Sequence, residues 1–134
     1  SSDESLASLD VVCMVLYTGR TDFMKAGAAA TFIRHKDSVA SLEQASLPIG
    51  ILREIEFSKA TAKPEDGDII LMISDGVLGD CNGWIQQEMK LWDTKHSPRE
   101  LAEFIVNSAC ERKLGKQRDD MTAIAIYVKE KNNI

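Results

Sequence analysis

Long apolar runs are missing from this chain of 134 residues. No stretch approaches the roughly 20 residues that cross a bilayer, so no membrane span is expected within it. A cationic excess is missing too. Lysine and arginine number 16 against 21 aspartates and glutamates, net −5, and the basic residues are scattered. The electrostatic footprint of a nucleic-acid binder is therefore absent. Cysteine is scarce: Cys13, Cys81 and Cys110 form no CxxC pair and leave an odd thiol. That excludes a zinc knuckle or disulfide framework and makes a reducing cytoplasm the simplest compartment. There is no initiator methionine or basic start, only Ser1-Ser2-Asp3-Glu4. The expectation is a chain without a signal peptide, a segment of something longer whose membrane tether, if it has one, lies elsewhere. Repeats, low-complexity tracts and linkers are also lacking. What is present is one domain's worth of ordinary globular composition, 44% hydrophobic and 28% charged.

Strands come first. "LDVVCMVLY" (9–17) is apolar and β-branched and runs into a turn composition at 18–22, so it reads as a strand buried on both faces leading into a hairpin. Short strand-like pieces at 23–26 and 31–34, with a turn at 36–38, predict an antiparallel meander. After "LPIGI" (47–51), the alternation in "EIEFSKATA" (54–62) predicts another strand. The break at Pro64-Glu65-Asp66-Gly67 makes 68–74 the second arm of a further hairpin. Helices come late. Ser97-Pro98-Arg99-Glu100 matches a capping box with proline at the first helical position, and the spacing of Leu101, Phe104, Ile105, Ser108 and Arg112 predicts an amphipathic helix to about Leu114. A second helix is expected over 82–92. "MTAIAIYV" (121–128) closes the chain as a strand apolar on both faces. Regular βαβ alternation is absent, so the expected class is α+β, with helices against antiparallel sheet.

Carboxylates stand at two strand ends, Asp75 just after "IILMIS" and Asp119-Asp120 just before "MTAIAIYV". If those strands are antiparallel neighbours, the end of one and the start of the other share a sheet edge, and Asp75 and Asp119 converge. Clustered carboxylates repel unless protons or cations intervene, and hard oxygen ligands suit magnesium or manganese. Gly76 adds a position without Cβ where a ligand could approach closely. The plain alternative is that Asp-Gly is only a turn and Asp-Asp only a cap. Asp66-Gly67 is the internal comparison: the same dipeptide in an expected turn, with no chemistry assigned. The run of Ile69 to Ile73 sets Asp75 apart by implying a buried strand terminus.

"ISDGV" and "DDMTAIAI", separated by a helical segment, resemble the closing motifs of the metal-dependent 2C-class serine/threonine protein phosphatases. "SLASLDVVCMVLY", "FMKAGAAATFI", "SLPIGI", "GDIILMISDGV" and "RDDMTAIAI" together resemble the phosphatase domain of the stage II sporulation protein E family, across nearly the whole chain. The resemblance implies an antiparallel β-sandwich flanked by helices and a site for two manganese or magnesium ions at one end. A bridging water in that site would attack the phosphorus of a phosphoserine on an anti-sigma factor antagonist. By motif, Asp75 and Asp119 correspond to family metal ligands. Gly76 follows the first, and Asp120 stands where many relatives carry asparagine. His35 and His96 fall in no motif and read as surface or turn residues.

The family's earlier Asp-Gly element, whose aspartate bridges both ions, has no counterpart before Asp10. Residues 1–134 therefore resemble the C-terminal portion of a single phosphatase domain, truncated on its N-terminal side. The expectation is weak or no metal binding and negligible activity for this segment alone, with Asp10 and Asp80 as conceivable substitute ligands. Lost strands leave open edges, so self-association is also expected. Two other readings stay open: a non-catalytic phosphatase-like binding or regulatory module, and a phosphotransfer fold with Asp75 as nucleophile or phosphoacceptor, against which the lack of βαβ units argues.

Overall fold

The computed structural model of the protein describes residues 9–26, 30–43, 58–78, 83–113 and 120–131. The element order is β1 (Leu9–Met14), β2 (Thr21–Ala26), β3 (Ala30–His35), β4 (Ser38–Glu43), β5 (Ser58–Ala62), β6 (Ile69–Ile73), α1 (Asp75–Leu78), α2 (Gly83–Leu91), α3 (Pro98–Arg112) and β7 (Ala123–Tyr127). This is the α+β class expected, with helices after the first six strands and one strand returning at the end. The chain divides into two units, each built on one sheet.

The first unit holds a three-stranded sheet ordered β1-β2-β5, with β2 antiparallel to both neighbours. Phe23, opposite Val12 and Ala60, is its buried anchor. β1 ends three residues before the expected Tyr17. Val15 N–H donates to the Arg20 carbonyl (2.8 Å) and Gly19 N–H to the Val15 carbonyl (2.7 Å), so the hairpin turns early and Leu16 and Tyr17 stand exposed at its tip. Gly19 has φ 77°, a left-handed conformation that glycine adopts without strain. β1 is also not buried on both faces. It is an edge strand with Val11, Val12 and Met14 half-buried and Cys13 exposed.

The second unit holds a four-stranded sheet ordered β4-β3-β6-β7. β6 is central, antiparallel to β3 (Phe32 opposite Leu71) and to β7 (Leu71 opposite Ala125). Its apolar run is explained by this place: Ile69, Ile70, Leu71 and Ile73 are buried. Ile69, Leu71 and Ile73 join Ala30 and Phe32 in one core with Val77, Ile85, Met89, Leu101, Ile105 and Ala109 from the three helices. Period 2 on the strands thus meets period 4 on α3. The start of α3 follows the sequence signals: Ser97 caps it, its Oγ accepting from the Glu100 N–H (3.1 Å), with Pro98 at the first position. Glu100 does not complete the capping box, because its carboxylate pairs instead with His96 Nδ1 (2.7 Å).

The structure overturns two expected pairings. β5 and β6 are not arms of one hairpin: β5 pairs with β2, and β6 with β3 and β7. The Asp66-Gly67 turn between them has Gly67 at φ 90° and is anchored to the strand at the other end of the chain, Gly67 N–H donating to the Val128 carbonyl (2.9 Å) and Glu130 N–H to Asp66 Oδ1 (2.7 Å). The meander likewise breaks between β2 and β3, which lie in different sheets. β7 is an edge strand rather than a doubly buried one: Ala123, Ala125 and Tyr127 pack on the core while Ile124 is 50% exposed. No described helix is long and apolar enough to cross a membrane. Cys13 and Cys110 are free thiols, and the 47–51 segment and Cys81 fall outside the described residues.

Arg34 on β3 ties α2 to the sheet by donating from Nη1 to the Met89 (2.8 Å) and Trp92 (2.6 Å) carbonyls. These carbonyls lie at the C-terminal end of the helix, where a cation is favoured. Arg34→Met is expected to cost roughly 1–3 kcal/mol, the range for hydrogen bonds to a charged group. Urea unfolding followed by tryptophan fluorescence measures it, and an unchanged midpoint would show that the contact contributes nothing.

Candidate metal centre

β6 emerges from the core at Ser74, and Asp75 opens the single turn α1. The antiparallel pairing of β6 with β7 puts that end of β6 beside the start of β7, as the sequence reading requires. The junction is clasped by Ser74. Its N–H donates to the Thr122 carbonyl (3.0 Å), its Oγ accepts from the Thr122 N–H (2.9 Å) and donates to the Asp120 carbonyl (3.4 Å). The segment carrying Asp120 is therefore fastened to the residue before Asp75. Asp119, the other expected ligand, falls outside the described residues, as does Asp80; Asp10 lies in β1.

Asp75 is exposed, not buried as the strand-terminus reading implied, because the chain turns into α1 and buries Gly76 and Val77 instead. Its carboxylate takes no hydrogen bond or ion pair from any described residue. Asp120 is exposed as well. Gly76 does not offer a free oxygen: its carbonyl accepts from the Lys113 ammonium at the end of α3. Neither Ser74 nor Lys113 was marked out by the sequence, since a serine before Asp-Gly and a lysine in a helix's last turn are both ordinary there.

The opposite end of β6 makes the contrast. Asp68 is buried and satisfied, Oδ1 against His35 Nδ1 (2.8 Å) and Oδ2 accepting from the Glu65 N–H (2.8 Å). Arg34 faces Ile69 in the β3–β6 register, so His35 sits at the start of β6 and Asp75 beyond its end. The two histidines are accounted for by these local pairs. His35 is partly exposed and held by Asp68, and His96 is exposed on Glu100.

Tested against a hard divalent cation, the donor chemistry at the β6–β7 edge fits. Among the described residues no cationic side chain pairs with the Asp75 carboxylate, which is exposed and lies next to the segment carrying Asp120. Among the described residues no three or more His, Cys, Asp or Glu side chains come together as a group that could hold a metal ion.

Comparison with known proteins identifies the fold and the family. A solved structure of the PP2C phosphatase domain with a fragment of the regulatory domain of SpoIIE from Bacillus subtilis superposes with a TM-score of 0.83 at 28% identity, covering 98% of this chain and 41% of that one. A manganese-presoaked structure of the Bacillus subtilis SpoIIE phosphatase domain matches with a TM-score of 0.78 at 26% identity, covering 95% of this chain and 58% of that one. The fold is thus that of the 2C-class phosphatase domains. The family model for stage II sporulation protein E matches residues 1–129, and the chain belongs to that family. The stage II sporulation protein E of Bacillus subtilis (strain 168) is 27% identical over 134 residues, covering 96% of this chain. The chain spans 16% of that relative's length.

Proposed function

We propose that this chain is the C-terminal part of a metal-dependent protein serine phosphatase domain, with Asp75 and Asp119 as ligands of a manganese or magnesium pair and Asp120 and Gly76 beside them. The observation that supports the reading is the Ser74 clasp, which fastens the Asp120 segment to the residue before Asp75 at one edge of the sheet. In this reading the turn after β6 presents Asp75 beside the lead-in to β7, whose Asp120 and Thr122 are held by Ser74. Bound divalent cations there supply charge neutralisation for a transferring phosphoryl group and an acidified water. The substrate, as the family resemblance implies, is a phosphoserine on an anti-sigma factor antagonist met in the cytoplasm. Two cations bring four positive charges, which two aspartates do not balance, so further ligands come from outside these residues. Among the described strands, β1 and β5 end one sheet and β4 and β7 the other, and such edges are where the chain would associate with itself.

The test compares the 134-residue chain with the full-length protein, using p-nitrophenyl phosphate and manganese. The chain alone is expected to show negligible turnover and the full-length protein manganese-dependent hydrolysis. Robust turnover by the chain alone would overturn the incompleteness of its site. A metal-loaded full-length protein without hydrolysis of any phosphoprotein would favour the non-catalytic module.

A further inference from the structure

The last turn of α3 reaches three segments around the end of β6. The Arg112 guanidinium lies 4.5 Å from the centroid of the Trp84 ring on α2. Cys110 Sγ is 3.5 Å from Sδ of Met121, in the lead-in to β7. Lys113, the residue that caps α3, donates its ammonium to the Gly76 carbonyl. The first two are packing contacts between neighbouring elements. The third differs in kind, because it is a charge-assisted hydrogen bond to the residue that follows Asp75.

α1 has four residues, too few to hold a helical turn by its own backbone bonds. Its shape depends on outside contacts, and two stand out. Val77 is buried in the core, and Lys113 grips Gly76. Gly76 is itself buried, so water is poorly placed to replace the ammonium. Nothing else described holds the Asp75 side chain, which leaves its direction set by the backbone beneath it.

We propose that Lys113 is a positioning residue for the candidate metal centre: by pinning Gly76 it fixes the place from which the Asp75 carboxylate meets a divalent cation. This rests on the reading of Asp75 as a ligand. A lysine near a cation site also opposes the cation by its charge. Asp75 is exposed, however, and water screens that repulsion strongly, so the positional effect is expected to dominate.

The experiment measures the Mn2+ dissociation constant of the full-length protein from the free-ion electron paramagnetic resonance signal. Lys113→Met is expected to weaken Mn2+ binding by about 10–100-fold, the usual effect of removing a group that orients a metal ligand. The metal-free protein should keep its circular dichroism, with a thermal midpoint lowered as expected when a charge-assisted bond to a buried carbonyl is removed, and binding is measured well below that midpoint. Lys113→Arg, which retains a donor for one carbonyl, should bind Mn2+ nearly as the parent does. If Lys113→Met fails to fold, Lys113→Gln, whose amide stops one bond short of the carbonyl, should show the same loss. Parent-like or tighter Mn2+ binding in the folded Met or Gln variant overturns the proposal, as does a loss in Lys113→Arg equal to theirs. Asp75→Asn run alongside separates the two readings. If it leaves Mn2+ binding unchanged, the metal centre itself is wrong and the role of Lys113 falls with it. If it abolishes binding while the Lys113 variants bind normally, only the role of Lys113 is lost.

Discussion

Asp75→Asn in the full-length protein is expected to lower manganese-dependent hydrolysis of a phosphoprotein by about 100-fold or more while leaving the fold intact. Asparagine keeps the size and one oxygen but removes the charge, and a hard cation binds charge first. Metal stabilisation of a phosphoryl transition state is worth several kcal/mol, and each 1.36 kcal/mol is about tenfold in rate. Stability should not follow activity, because Asp75 is exposed and no described residue pairs with its carboxylate. An unfolding midpoint equal to the parent's, beside a collapsed rate, is the signature of a ligand. Asp119→Asn is expected to behave alike in rate. Near-normal hydrolysis in both variants would discredit the assignment and return Asp-Gly to the status of a turn.

The parts of this fold legible in the sequence were those fixed by local chemistry or by long apolar runs. α3 announced itself through Ser97, Pro98 and the recurrence of Leu101 and Ile105, because capping and period 3.6 act within one helix. The β6–β7 pairing is the one that two apolar strands make as neighbours in a core, and it sets Asp75 at the same sheet edge as the segment carrying Asp120. What stayed hidden depended on partners far along the chain. Asp66-Gly67 has hairpin composition, yet the Gly67 N–H donates to the Val128 carbonyl and β5 pairs with β2. β1 and β7 are apolar throughout and still lie at sheet edges, since hydropathy marks strands without saying how many neighbours each has. α1 carried no periodic signal in four residues, and the roles of Ser74 and Lys113 exist only once α3 and β7 are folded against that turn.

Asp68→Ala should destabilise the four-stranded unit by roughly 2–4 kcal/mol, as expected when a buried carboxylate making two hydrogen bonds is removed and its partners are left behind. The substitution strips His35 Nδ1 of its acceptor and leaves the Glu65 N–H without one. It also loosens a turn that joins both chain directions, since the Asp68 backbone accepts from the Val128 N–H (2.9 Å) and donates to the Glu65 carbonyl (3.0 Å). Urea unfolding followed by tryptophan fluorescence reads this directly, because Trp84 and Trp92 both pack against the core of that unit. A midpoint matching the parent's would show that the Asp68 bonds add nothing to stability. Set beside Asp75→Asn, the result separates two aspartates at the two ends of one buried strand. Asp68 is buried with each carboxylate oxygen held by a protein group, and its loss should appear as instability. Asp75, exposed and unsatisfied by its neighbours, contributes nothing that folding requires, and its loss should appear in the chemistry alone.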